Sequence, residues 1–355
     1  MKYKILENSE MKLLRSEVVN YDFNKKSGFM ATWGKDLKDN PSFSPVGPFI
    51  ADIEISTVCH GINNVPCKFC YKSNTGVGDN MSLDTFKKVF SKLGKQLTQI
   101  AFGIGDIDGN PDVWSIMEYC RNNDINYVVP NVTINGWNLK DEYADKLASL
   151  CGAVAVSKYQ PKDICYDAVK KLTDRGMDQV NIHMLVSEET FQDCLEVMSD
   201  SKTDPRLEKL NAIVFLALKP KGKRNTLHPL GTDNYKKLID TAFENNVRVG
   251  FDSCSAPMFL NAVKDRPNYD SLEVLCEPCE STLFSVYINT DGLMYPCSFM
   301  EDVEEGLDVA NCNDFKKDIW FSDITAKFRD SLINTEKECI INGKGCRKCP
   351  KYDIY

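Results

Sequence analysis

The sequence predicts an α/β fold: a partial, TIM-like (β/α)6 barrel followed by a small cysteine-rich C-terminal domain. Short apolar runs alternate with amphipathic stretches from Phe49 to Asp252, the pattern of repeated strand–helix units. Seven strand-like runs and six helical patterns fall one unit short of an eightfold barrel, so an open sheet is the natural closure. Eight of the fifteen cysteines lie after residue 253, in a loop-rich region that metal would need to hold together.

The strand candidates are FIADIEIST, QIAFGIG, NYVVPNVTI, GAVAVS, QVNIHMLV, AIVFLAL and VRVGFD. The helical patterns between them are SLDTFKKVFSKLGK, DVWSIMEYCRNN, LKDEYADKLASL, CYDAVKKLTDRG, TFQDCLEVMSD and TDNYKKLIDTAFENN. Ser82 and Thr232 are candidate helix caps, and one helix closes on Arg175-Gly176. Strict alternation implies parallel strands joined by right-handed crossovers, with the ligand at their carboxyl ends. Residues 1–48 read as a short, hairpin-like extension, residues 49–253 as the barrel, and residues 254–355 as the cysteine-rich domain.

A chain of 355 residues with 43% apolar and 10% aromatic residues is globular, not disordered. Its net charge of -8 argues against nucleic acid or an anionic membrane as partner. The basic run KPKGKR, Lys219 to Arg224, reads for the most part as a solvated loop, with contact to an anion as the alternative. The N-terminus lacks the apolar core of a signal peptide, and no run reaches the roughly 18 apolar residues of a membrane span. The expected location is therefore cytoplasmic, where cysteines serve as metal ligands or reactive thiols rather than disulfides. Cys120, Cys151, Cys165 and Cys194 lie in helix-like or apolar segments and read as buried, inert thiols. His183 and His228 read as packing or polar-network residues.

The stretch CHGINNVPCKFCY, Cys59 to Tyr71, follows the first strand directly and so lies at the functional end of the sheet. Its cysteines are spaced C-x7-C-x2-C. Three thiolates can hold three irons of a cubane 4Fe–4S cluster, or contribute to a zinc site closed by a fourth protein ligand. No Cys or His lies between Cys70 and Cys120, and His60 is the one nearby imidazole. An iron with an open fourth position is one outcome; zinc is the other.

Cys67-Lys68-Phe69-Cys70-Tyr71 resembles the C-x-aromatic-C segment of radical S-adenosylmethionine (SAM) enzymes, whose usual spacing is C-x3-C-x2-C; this chain has a longer first gap. FGIGDIDGNPDV resembles the family's Gly-Gly-Glu segment, read here as Gly103-Ile104-Gly105-Asp106, with Asn110-Pro111-Asp112 opening the next helix. Asn135-Gly136 resembles the family's Thr-Asn-Gly. Ser157 ends the fourth strand, where a polar residue meets the ribose, and LALKPKG resembles the adenine-contacting segment. The resemblance implies that Cys59, Cys67 and Cys70 hold a 4Fe–4S cluster whose fourth iron is chelated by SAM. It implies cofactor contacts at Phe69, Tyr71, Gly103, Gly105, Asp106, Asn135, Ser157 and Lys219. The implied activity is reductive cleavage of SAM to a 5′-deoxyadenosyl radical that abstracts hydrogen from substrate, with electrons from a reductant such as flavodoxin or ferredoxin. Asp106, Asp108 and Asp252 sit at strand ends, and no spacing selects a general base among them.

Cys279-x12-Gly292-x4-Cys297 resembles an element of the SPASM and twitch extensions of these enzymes, and Cys346-x2-Cys349 closes the chain. VYINTDGLMYPC reads as two short strands joined by an Asp-Gly turn. The resemblance implies at least one auxiliary 4Fe–4S cluster drawn from Cys254, Cys276, Cys279, Cys297, Cys346 and Cys349, with Cys312 and Cys339 as plain thiols. The implied substrate is a peptide or protein side chain that is oxidised or cross-linked. The alternatives are a small-molecule dehydrogenase, or an epimerase with Cys312 as hydrogen donor. From another class, a zinc-stabilised, non-catalytic binding protein is the alternative, because C-x2-C pairs suit zinc equally.

Overall fold

A computed structural model describes residues 2–337 and 349–352. The chain opens with β1 (Tyr3–Glu7), β2 (Met11–Ser16), β3 (Asn20–Asn24) and β4 (Met30–Trp33), an antiparallel meander of four strands where the sequence suggested a hairpin. Its apolar face, including Leu14, Tyr21 and Phe23, packs against Phe49, Leu283, Phe284 and Leu332. Those partners lie far along the chain, so local periodicity carries little trace of them. Lys12 is buried in the seam. Its Nζ donates to the carbonyls of Leu97 (2.9 Å) and Tyr127 (3.3 Å) and to the Asn126 side chain, and burial pulls its pKa down to about 8.

The parallel sheet follows: β5 (Ile50–Glu54), α1 (Leu83–Leu93), β6 (Gln99–Gly103), α2 (Val113–Arg121), β7 (Val129–Ile134), α3 (Asp141–Leu150) and β8 (Val154–Ser157). It continues with α4 (Lys162–Thr173), β9 (Val180–Val186), α5 (Phe191–Thr203), β10 (Ala212–Ala217), α6 (Thr232–Glu244) and β11 (Val249–Phe251). Every predicted strand and helix of this region is present. The Ser82 hydroxyl caps α1 by accepting from the Thr85 N–H at 3.1 Å. At α6 the cap position belongs to Gly231, and Thr232 is already helical. Consecutive strands are parallel neighbours, so right-handed crossovers put the helices on one face and leave the other face turned inward.

The cysteine-rich region carries more regular structure than its composition suggested. It forms α7 (Ala256–Val263), α8 (Tyr269–Val274), β12 (Ser285–Ile288), β13 (Leu293–Tyr295), β14 (Leu307–Asp308) and α9 (Asp323–Lys337). The expected hairpin is β12–β13, turning at Asp291-Gly292, where Gly292 takes the left-handed φ of 80° that favours glycine. β12 also pairs in parallel with β5, from Ser285↔Ile50 to Ile288↔Ile53, so the hairpin extends the barrel sheet. Among the described residues the sheet is open, with β11 and β14 at its edges. No described helix is long and apolar enough to cross a membrane.

Candidate active site

A cavity of about 440 Å³ opens where six successive strands end. Glu54, Gly103, Ile134, Ser157, Leu185 and Leu216 line it, one each from β5 to β10. Six strands laid flat would span about 24 Å, so the sheet must curve around this space for all of them to reach it.

Cys59, Cys67, Phe69, Cys70 and Tyr71 line the same cavity. The Cys59 N–H donates to the Thr75 carbonyl at 2.7 Å. Gly105 lies so close to Cys59 that a Cβ there would sit 2.3 Å from the Cys59 Cβ, so only glycine fits. The rings of Phe69 and Tyr71 are fixed against Tyr159 (5.3 Å) and Phe299 (4.4 Å) respectively. Burial raises the Cys59 thiol and pushes Cys67 up to about 11, so both sulfurs keep their protons near neutral pH.

The KPKGKR run is a buttress of this loop, not a solvated segment. The Lys223 N–H donates to Ser73 Oγ at 2.8 Å, and Arg224 donates to the carbonyls of Ser73 (3.3 Å) and Asn74 (2.9 Å). Gly222 (φ 110°) passes so near Cys70 that a Cβ would lie 2.4 Å from its carbonyl oxygen.

Of the residues assigned to the cofactor by resemblance, Phe69, Tyr71, Gly103, Gly105, Asn135 and Ser157 line the cavity; Asp106 and Lys219 do not. Asp106 is engaged by His60 and Asn135. Lys219 pairs with Asp252, lies 5.3 Å above the Phe299 ring and lines a second cavity. His183 lines the first cavity 3.4 Å from Thr133 Oγ1, and burial holds its pKa down at about 4, which keeps it neutral. His228 pairs at the surface with Glu189, 2.7 Å away.

The first cavity also holds a charged network that the motifs did not announce. Lys72 Nζ lies 2.9 Å from Glu54 Oε2, donates to Tyr287 Oη at 2.7 Å and pairs with Glu301. Burial raises the Glu54 carboxyl against the pull of Lys72. Burial opposes the charge on Glu301 too, yet the Lys72 hydrogen bond and charge hold that carboxyl below its ordinary range. The network ties the cysteine loop to β5 and to the C-terminal hairpin.

The second cavity, about 350 Å³, is lined by Cys254, Cys279, Cys297 and Cys349. Burial pushes both Cys254 and Cys297 up to about 12. Cys276 faces a different cavity, beside Phe243, Phe251 and Leu275. Cys339 and Cys346 lie outside the described residues. Cys312 donates to the Val309 carbonyl at 3.3 Å and lines neither cysteine cavity.

Asp52 and Ser298 line both cavities and form the wall between them. The Asp52 side chain is exposed to the cavity space, and the protein packed around that space raises its carboxyl to about 6. An unfolded aspartate titrates near 4. Between those values the folded chain binds the extra proton, so this group makes stability fall as pH rises from about 4 to about 6. Asp52→Asn is expected to flatten that part of the stability–pH curve in denaturant titrations; an unchanged curve would contradict the environment described for Asp52.

No protein-family model and no curated protein matches the chain. Solved structures do. SuiB of Streptococcus suis matches at a TM-score of 0.67 and 12% identity over 91% of this chain and 90% of SuiB. SuiB bound to its precursor peptide SuiA matches at 0.69 and 11% identity over 99% of both chains. The chain has the fold of SuiB. SuiB has also been solved bound to S-adenosylmethionine. A second structure of this fold, anSMEcpe with bound AdoMet and Cp18Cys peptide, matches at 0.59 and 17% identity over 85% of this chain and 88% of that one. Identities this low carry the fold to SuiB and leave the activity to be argued from the site.

Proposed function

We propose that the chain is a radical SAM enzyme that modifies a peptide or protein side chain. Residues 49–253 form its partial barrel, with Cys59, Cys67 and Cys70 as ligands of a 4Fe–4S cluster and SAM in the cavity beside them. Residues 254–355 carry one auxiliary 4Fe–4S cluster on Cys254, Cys279, Cys297 and Cys349, and residues 1–48 are an N-terminal extension. The observation that carries this reading is the pair of adjoining cavities, one lined by three cysteines and the next by four.

When bound, the cluster and SAM supply reductive cleavage of the sulfonium and abstraction of a hydrogen atom from substrate. The residues supply the setting. The curved sheet and the packed rings of Phe69, Tyr71, Tyr159 and Phe299 exclude water. The backbone at Gly103–Gly105 and the side chains of Asn135 and Ser157 offer polar contacts within the cavity. Substrate lies at the wall between the cavities, beside Asp52, whose carboxyl is raised above the ordinary range. A peptide substrate is supported by the peptides bound in the SuiB and anSMEcpe structures. An external reductant such as flavodoxin or ferredoxin delivers the electron, and a chain with fifteen cysteines suits a reducing cytoplasm.

Metal analysis tests the proposal. Protein purified without oxygen should hold iron and acid-labile sulfide, about eight of each per chain. Stoichiometric zinc without sulfide would overturn it.

A further inference from the structure

The long gap between Cys59 and Cys67 is folded and anchored. Gly61 has φ 75°, and a Cβ there would lie 2.0 Å from the Val65 carbonyl oxygen. Asn63 and Asn64 take left-handed φ values of 55° and 61°, and the Val65 N–H donates back to the Ile62 carbonyl at 3.0 Å. The extra residues thus close on themselves as a tight turn.

Its anchor is Asp106. Oδ2 accepts from the His60 backbone N–H at 2.8 Å and lies 2.7 Å from His60 Nδ1. Oδ1 accepts from Asn135 Nδ2 at 2.9 Å. The Asp106 N–H donates to the Val58 carbonyl at 3.1 Å, the residue before Cys59. One side chain therefore joins the segments that follow β5, β6 and β7, and its carboxylate already accepts from His60 and Asn135 without itself lining the cofactor cavity.

We propose that Asp106 is a positioning residue of the three-cysteine loop, fixing Cys59 through His60, and not the partner of the cofactor's ammonium group. This rests on the reading of Cys59, Cys67 and Cys70 as cluster ligands. A longer gap gives the loop more conformations to lose, and charge-assisted hydrogen bonds at its first residue remove that freedom where the first sulfur must be held.

The test uses the full chain, reconstituted without oxygen, and two measurements: the rate at which a ferrous-iron chelator strips iron, and SAM affinity by equilibrium dialysis. Asp106→Ala should speed iron loss about 10-fold or more and change SAM affinity less than about 3-fold. His60 is half-exposed, with 53% of its side chain accessible, so His60→Ala leaves the barrel packing intact. It should speed iron loss about 3-fold alone and add nothing to Asp106→Ala. Unchanged iron retention in both variants overturns the proposal. Unchanged retention with SAM bound more than about 30-fold weaker in Asp106→Ala assigns the acid to the cofactor instead. Wild-type protein that takes up no iron overturns the cluster reading itself, and the proposal falls with it.

Discussion

Replacing Cys67 and Cys70 together by alanine is expected to cut 5′-deoxyadenosine formation at least ~1,000-fold and to lower bound iron from about eight to about four atoms per chain. Both effects follow from the placement of the two sulfurs. They line the cavity at the strand ends, in a loop held by the Gly222 approach and the Arg224 bonds, and no described cysteine outside that loop lines the same cavity. Under the proposed function the remaining irons would sit at the second site, whose cysteines lie elsewhere. Deoxyadenosine formation that survives in the double variant would remove these residues from the cluster.

Cys297→Ala should have the converse effect. Iron again falls to about four atoms per chain, while deoxyadenosine formation stays within about 10-fold of wild type. Cys297 shares its cavity with Cys254, Cys279 and Cys349 and does not line the first one. Cys312→Ala is the control: its thiol is bonded to the Val309 carbonyl away from both cavities, and iron should not change. Full iron retention in Cys297→Ala would break the four-cysteine assignment.

The barrel was legible in the sequence because each of its elements has a local cause. Apolar runs such as QVNIHMLV and amphipathic stretches such as SLDTFKKVFSKLGK carry their own periodicity, and sequential parallel pairing then follows from the short connections. What escaped depends on distant partners. The strand SVYI is only four residues long, and its place beside β5 goes with packing against Tyr21 and Phe49, far away in sequence, not with its own pattern. The N-terminal meander is hidden for the same reason.

At the site, the cysteines and glycines were legible because few residue types can replace them. Lys219 and Asp106 fall outside the lining of the first cavity, because a motif fixes a position along the chain and not the direction of a side chain. Asp52 and Glu54 did leave a signal. In ADIEI two acids alternate with apolar residues along a strand whose helix-covered face must be apolar, so both point into the barrel. An acid on the inner face of the first strand needs a functional reason, and here Asp52 stands between the two cysteine cavities.

One assay separates the enzyme from every non-catalytic reading of the same cysteines. Wild-type protein, loaded with iron and sulfide without oxygen, is incubated with SAM and dithionite. Methionine and 5′-deoxyadenosine should appear in about equal amounts. Iron-loaded protein from which SAM is recovered intact would contradict the proposed function.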